Sequence, residues 1–99
     1  ELYIRVTAKN SDLDATSIIK QSIMAYANGE IEGESGFEVG GEVSPFELSG
    51  AINQTEPRIT VTKVELSDDA GATWTTSVVT AAANEIFTTS ESVISVVIV

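Results

Sequence analysis

Apolar and polar residues alternate at the start of the chain, from residue 2 to residue 8. An alternation with a period of two is typical of a strand that buries one face and exposes the other. The sequence therefore predicts a half-buried strand over residues 2–8. Its buried face would consist of Leu2, Ile4, Val6 and Ala8.

The next segment has helical spacing instead. Asp12 or Asp14 can accept hydrogen bonds from the free N–H groups of a first helical turn. Asn28 and Gly29 form a pair that suits the left-handed end of a helix. We therefore expect a helix over residues 15–27. The residues that recur at helical spacing, with Ile18 flanking them, are Ala15, Ile19, Ile23, Tyr26 and Ala27.

An acidic, Gly-rich segment follows over residues 30–36. This composition is typical of a solvated loop. The alternative interpretation is a contact with a basic partner or a cation, for which Glu30, Glu32 and Glu34 would supply the oxygen atoms. After this loop we expect residues 37–39 to form a short extended piece.

A second helix is predicted from its start signals. Ser44 can cap the helix, Pro45 suits its first position, and Glu47 can complete a capping box. We expect the helix to reach about residue 53, because Pro57 cannot continue it. Its apolar side would consist of Phe46, Leu48, Ala51 and Ile52.

Residues 59–66 predict another strand, with a change in its apolar parity. Ile59 and Val61 would lie on one face of the strand, and Val64 and Leu66 on the other. Such a change indicates a β-bulge or a strand that is covered on both sides.

The segments that follow alternate between turns and extended pieces. Residues 67–71 predict a turn, and residues 73–80 predict a return strand with Trp74 on its apolar face. We expect a further short strand over residues 85–87.

The last predicted strand, over residues 93–99, is apolar on both faces. One face carries Ile94, Val96 and Ile98, and the other carries Val93, Val97 and Val99. Such a strand is either central in a sheet with two covers or buried in an interface between chains. About two helices can hardly supply both covers. The candidate interface residues are therefore Val93, Val97 and Val99.

The order of these elements predicts an α+β fold. We expect about two helices packed on a mostly antiparallel sheet of four to six strands, in the order strand-helix-strand-helix followed by a β-meander. The 99 residues support a single domain, residues 1–99. Glu1 leads directly into the first strand pattern without an initiator Met, which indicates a fragment of a larger protein.

Charge and composition argue against several classes of partner and site. The chain has 15 acidic and five basic residues, for a net charge of -10. A surface of this sign repels phosphate backbones and anionic membranes, so we expect no nucleic-acid partner. No apolar run approaches the roughly 20 residues that span a bilayer, so we expect no membrane insertion. The absence of Cys and His removes disulfides, thiolate ligands and the commonest general base.

Motifs for catalysis and metal binding do not fit the sequence. A calcium loop counted from Asp12 requires Gly and Glu at positions where the chain has Ser17 and Ile23. The chain has neither a Gly-x-Ser-x-Gly elbow nor a phosphate-binding loop. We therefore expect that the chain is not an enzyme, with no catalytic residue, no metal and no cofactor.

One local motif is well formed. Residues 67–74 read Ser-Asp-Asp-Ala-Gly-Ala-Thr-Trp, which fits the Ser-x-Asp-x-Gly-x-x-Trp pattern of an Asp-box. In this motif Asp69 can bind N–H groups inside the turn, Gly71 can adopt a positive φ, and Trp74 can pack beneath the hairpin. Asp-boxes are known as structural repeats of β-propellers such as sialidases. We expect the single copy to be structural.

Several segments in order resemble the C-terminal region of baseplate J-like proteins of contractile-tailed phages and related particles. The resemblance covers roughly residues 2–99. It includes a helix that ends in Tyr26 and small polar residues, a Gly-containing link into a second helix, a Val-Glu-Leu strand end, a Glu-Ile pair and a closing β-branched strand. These segments are residues 18–29, 39–52, 64–66, 85–86 and 93–99.

The resemblance implies a structural role without catalytic residues. The chain would be an assembly domain of a phage or prophage tail baseplate, in the virion tail or in the bacterial cytoplasm before assembly. Its partners would be other tail or baseplate subunits, and it would be a candidate for homo-oligomerisation. The alternative is a carbohydrate-binding or surface-exposed β-module of a secreted protein, which requires an exposed aromatic platform. The core positions expected for Tyr26, Phe46 and Trp74 argue against that alternative.

Overall fold

A computed structural model describes residues 2–9, 14–30 and 36–99 of the chain. The expectations for Asp12 and for the acidic loop at Glu32 and Glu34 lie outside the described residues.

The fold is α+β, as the sequence predicts. The elements in chain order are β1 (Tyr3–Ala8), α1 (Ala15–Ala27), β2 (Glu42–Val43), α2 (Pro45–Thr55), β3 (Val61–Ser67), β4 (Val79–Thr80), a 3₁₀ turn (Glu91–Val93) and β5 (Ile94–Ile98). Within the described part of the chain, neither helix is long and apolar enough to cross a membrane.

The strands divide between two sheets. The central sheet has the order β3-β1-β5, with β3 antiparallel and β5 parallel to β1. The strands β2 and β4 form a separate antiparallel pair. The last strand therefore returns to the first one as a parallel neighbour, which places β1 at the centre of the sheet and β5 at its edge.

The core lies between the two helices and one face of the central sheet. The alternating residues of β1 point into it and are fully buried, which confirms the predicted strand face. The helix α1 buries the predicted stripe against this face except for Ala27 at its end, which is half-buried. The core residues from these two elements and the adjoining Leu2 are Leu2, Ile4, Val6, Ala8, Ala15, Ile19, Ile23 and Tyr26.

The helix α1 has the bounds that its spacing and end signals predict. Asp14 caps it, since its carboxylate accepts a hydrogen bond from the Ser17 N–H at 3.4 Å. Past its end, Gly29 has a φ of 72°, and its N–H donates to the Tyr26 carbonyl at 3.1 Å. Side chains of most residues avoid this conformation, so glycine is the residue that the left-handed stop favours.

Two predictions for α2 are wrong. Phe46 is 89% exposed, although we expected it on the apolar side. The buried stripe runs through Pro45, Leu48 and Ile52, and Phe46 lies about 200° around the helix from Leu48.

The predicted capping box does not form either, because Ser44 makes no side-chain cap bond. Glu47 accepts a hydrogen bond from the Tyr26 hydroxyl at 2.5 Å, which joins the two helices.

The parity change in β3 reflects a bulge, one of the two predicted explanations. Thr7 pairs with Lys63, whereas the next residue, Ala8, pairs with Val61. Thr62 is therefore the extra residue, and its hydroxyl donates to the Thr7 carbonyl at 3.1 Å.

Three short strand predictions are wrong. Residues 37–39 are not a strand; the short strand comes later, at Glu42–Val43. The expected return strand over residues 73–80 is reduced to a bridge at Thr75 and the pair of residues in β4. Residues 85–87 form no strand, although the Glu85 carbonyl accepts a hydrogen bond from Gly40 at 2.6 Å. Each of these segments makes isolated backbone hydrogen bonds in place of the continuous ladder that defines a strand.

Candidate functional site

The backbone of β5 has one side bound to β1 and one side directed outward. The Val99 N–H donates to the Ala8 carbonyl at 3.0 Å. Backbone groups of successive strand residues point to opposite sides, so Ser95 and Val97 also face β1. Val96 and Ile98 then direct their N–H and C=O groups away from the sheet. No other described segment pairs with this outer edge.

The side chains of the candidate interface differ in exposure. Val97 is 43% exposed and Val99 is 65% exposed, whereas Val93 lies in the 3₁₀ turn and is half-buried. On the opposite face of the strand, Ile94 is 2% exposed and belongs to the core. Of the two positions that we expected for this strand, the central one with two covers is wrong. The strand lies at an edge, and Ile98 at its end is 38% exposed.

The β5 edge lacks the usual protection of an exposed strand. Natural edge strands carry charged residues, proline or bulges that prevent pairing with other chains. Residues 92–99 include no charged residue and no proline, in a chain with 15 acidic residues. The nearest charged residue before them is Glu91. An apolar, uncharged edge of this kind is suited to pairing with another strand.

The opposite edge of the sheet, at β3, is partly closed. Leu66 exchanges two hydrogen bonds with Thr75, of 2.8 and 2.9 Å. The backbone N–H and C=O of Leu66 therefore point away from β1, while its side chain is buried. The backbone groups of Val64, two residues earlier in β3, point the same way. Beyond Val64 lies an open groove of about 340 Å³ between α2 and the β3 edge. The residues that line this Phe46 groove are Pro45, Phe46, Ser49, Val61, Thr62, Lys63, Val64 and Thr76.

The Asp-box closes the far end of the β3 edge with a hydrogen-bond network. The Ser67 hydroxyl donates to Asp69 Oδ1 at 2.6 Å, and the Gly71 N–H donates to Ser67 Oγ at 2.9 Å. The Thr73 N–H donates to Asp69 Oδ1 at 2.9 Å, and the Thr73 hydroxyl donates to Asp69 Oδ2. Ala70 and Gly71 turn the chain with φ of 60° and 87°. The motif therefore has the local structure that its sequence predicts.

Trp74 anchors the hairpin to the open face of the sheet. The Arg5 guanidinium lies 4.3 Å from the centre of the Trp74 ring. The same guanidinium donates two hydrogen bonds to the Glu65 carboxylate, at 2.9 and 3.0 Å. Lys63 approaches that carboxylate at 3.5 Å. Sequence spacing could not have identified this cluster, because Arg5 and Glu65 meet only through the pairing of β1 with β3.

The hydrogen bonds of the Asp-box fix the charge of Asp69. Bonds from the Ser67 hydroxyl first, and then from the Thr73 hydroxyl and N–H, lower the pKa of Asp69 from 3.8 to about 2. The hydrogen bond from Arg5 likewise lowers the pKa of Glu65. Both groups are anionic at neutral pH and engaged within the fold. A carboxyl group that exchanges protons near neutral pH needs a raised pKa, whereas the pKa values of Asp69 and Glu65 are both lowered.

The described residues provide no group of three or more acidic side chains arranged to hold a metal ion. Of the six aromatic residues, all of which are described, Phe46 alone is exposed. Of the three aromatic residues expected in the core, Tyr26 alone is there, whereas the predictions for Phe46 and Trp74 are wrong: Trp74 is half-buried beside Arg5, outside the core. The described surface therefore offers a single exposed aromatic ring, that of Phe46, on which a sugar could stack.

The comparisons with known proteins add no family to this description. No protein-family profile matches the chain, and no curated protein is significantly similar to it.

Proposed function

We propose that this chain is a structural assembly domain of a phage or prophage tail baseplate, which acts by packing β5 against a neighbouring subunit. The observation that carries the proposal is the outer edge of β5. Its Val96 and Ile98 backbone groups have no partner among the described residues, and its exposed side chains are apolar. Adding a strand from another chain would satisfy these groups and bury Val97 and Val99.

The polar clusters of the molecule support a structural role over a catalytic one. The Asp69 carboxylate accepts its hydrogen bonds from its own turn, and Arg5 is held between Glu65 and Trp74. The Asp69 carboxylate accepts three hydrogen bonds within its turn, of the roughly four that a carboxylate can accept, so its charge stabilises the turn. We therefore propose no catalytic residue, metal or cofactor.

The specific setting in a tail baseplate rests on the family resemblance of the two helices and the closing strand. In that setting the chain would contact other tail subunits, in the virion tail or in the bacterial cytoplasm before assembly. The net charge of -10 suits a basic neighbour. A carbohydrate-binding module of a secreted protein has less support, because the other five aromatic residues are buried or half-buried and Phe46 is the single exposed ring.

A cross-linking experiment on purified contractile tail particles tests this proposal. A photo-reactive amino acid at Val97 of the full-length protein should cross-link it to a baseplate subunit. The matched control is the same substitution at Val39, which is 66% exposed and lies in a turn outside the sheet. Absence of the protein from the particles would contradict the baseplate setting. Equal cross-linking from both positions would contradict the role of β5.

A further inference from the structure

A second cavity of the described structure lies where α1 ends. Its volume is about 240 Å³. Pockets for drug-sized ligands usually hold about 300–1,000 Å³, so this cavity has a size that suits a single side chain. Three separate segments form its walls. The walls of this Phe87 pocket consist of Ala27 and Asn28 at the end of α1, Phe37 in the following bend, and residues 86–89.

Hydrogen bonds within the fold hold these walls in place. The Phe37 N–H donates to the Ala27 carbonyl at 3.1 Å, which fixes the bend against the end of α1. The Leu2 N–H donates to the Thr88 carbonyl at 2.7 Å, and the Thr89 hydroxyl donates to the Leu2 carbonyl at 3.0 Å. The pocket is therefore formed in the absence of a ligand, which lowers the ordering cost of binding.

Three features of the Phe87 pocket favour a cation. The rings of Phe37 and Phe87 line it, and the face of an aromatic ring attracts positive charge. The helix α1 ends at the pocket with the negative end of its dipole, and its last turn carries no basic residue. The exposed carboxylates of Glu30, Glu38 and Glu85 each belong to a residue within two positions of a lining residue.

The segments that line the Phe87 pocket contain no basic residue of their own. Residues 21–57 and 64–99 include every lining residue and have neither Lys nor Arg. The Phe46 groove differs, because Lys63 lines it and would repel a cation. The apolar walls also favour an organic cation over Ca²⁺ or Mg²⁺, which need several oxygen ligands. Charge and chemistry together therefore point to a side chain with an apolar stem and a positive head.

From these features we infer that the Phe87 pocket takes an arginine side chain of a partner protein. A guanidinium group stacks on aromatic rings, and its planar set of N–H donors matches carboxylates and amide oxygens such as that of Asn28. The apolar stem of the arginine packs against Ile86, which is 47% exposed. None of the lining residues belongs to β5, so this contact goes beyond the proposed function.

A peptide titration followed by amide chemical shifts tests the inference. The probe is the peptide acetyl-Gly-Arg-Gly-amide, and the control peptide carries citrulline, which has nearly the same shape as arginine without its charge. The arginine peptide should shift the amide signals of Asn28, Phe37 and residues 86–89 until they saturate. It should bind at least about threefold more tightly than the citrulline peptide, because the charge-dependent contacts are lost with citrulline.

Two substitutions separate the contribution of the ring from that of the charge. Phe87→Leu keeps an apolar side chain against the core but removes the ring, and it should weaken binding of the arginine peptide by about threefold. Glu85→Gln removes an exposed charge beside the pocket and should weaken binding by about twofold. The matched control is Asp14→Asn, at the opposite end of the 13-residue α1, about 20 Å away. Asparagine caps a helix as well as aspartate does, so this variant should bind like the unmodified chain.

Three results would overturn the inference. These are equal affinities for the arginine and citrulline peptides, shifts spread over the acidic surface that Phe87→Leu leaves unchanged, and no shifts at about 10 mM peptide. Should Phe87→Leu fail to fold, equal binding by Glu85→Gln and Asp14→Asn would overturn it instead. The titration uses the purified chain and does not involve β5. Its failure therefore leaves the proposed function standing, and a failed cross-link from Val97 leaves this inference standing.

Discussion

The central sheet has two edges, and they are completed in different ways. At the β3 edge, the Asp-box hairpin folds back so that Thr75 pairs with Leu66 and Trp74 packs against Arg5. At the β5 edge, no described segment returns to pair with Val96 or Ile98. One edge is partly closed by polar bonds that the chain makes with itself, and the other is left apolar and open. Under the proposed function, the β3 edge serves stability and the β5 edge serves assembly.

The largest effect on stability is expected in β1, the strand that lies between the two edge strands. Ile4 is fully buried in β1, opposite Leu66 on one side and Ile94 on the other. Ile4→Ala should reduce the free energy of unfolding by about 2–5 kcal/mol in urea denaturation, because the cavity lies under both neighbouring strands. Val97→Ala is the exposed control. Equal losses from the two variants would contradict the assignment of the core.

The next effect concerns the turn of the hairpin. Gly71 has a φ of 87°, and a Cβ added there would lie 3.7 Å from Trp74, at ordinary contact distance. Gly71→Ala should therefore cost about 1–2 kcal/mol through backbone strain alone. Gly50, exposed in α2 with nothing within 4 Å, is the matched control. Gly50→Ala should stabilise the chain by about 0.5–1 kcal/mol, and a stabilising Gly71→Ala would refute the strained turn.

A smaller effect follows from the lowered pKa of Asp69. The folded value of about 2 lies below the ordinary 3.8, so the stabilisation by this carboxylate is complete above about pH 4. It is lost as the pH falls through about 2. Asp69→Asn should flatten part of the fall in melting temperature between pH 4 and pH 2, relative to the unmodified chain. A carboxyl titration that places the pKa of Asp69 at its ordinary value would contradict the network.

The smallest effect on stability is expected at the open edge. Val97→Thr should change the free energy of unfolding by no more than about 0.5 kcal/mol, because Val97 is 43% exposed and threonine suits a strand. The same change should weaken association between chains. A large loss of stability with unchanged association would reverse the roles that we assign to the two edges.

Local features of this molecule follow from the sequence, and its edges do not. The bounds of α1 and the Asp-box turn are predictable because the residues that define them are within a few positions of each other. The position of β5 depends on its parallel pairing with β1, and the apolar parity of residues 93–99 does not specify a neighbour. Phe46 was misassigned because four apolar residues in a short helix do not define one face. The Phe46 groove became visible only with the packing of α2 on β3.

Amide hydrogen exchange at β5 tests the assembly role most directly. The Val97 and Val99 amides face β1 and should exchange slowly at every protein concentration. The Val96 and Ile98 amides face outward, so they should exchange fast in the isolated chain and slowly in the assembled tail particle, where a neighbouring subunit would pair with β5. Exchange at Val96 and Ile98 that stays as fast in the assembled particle as in the isolated chain would contradict the account.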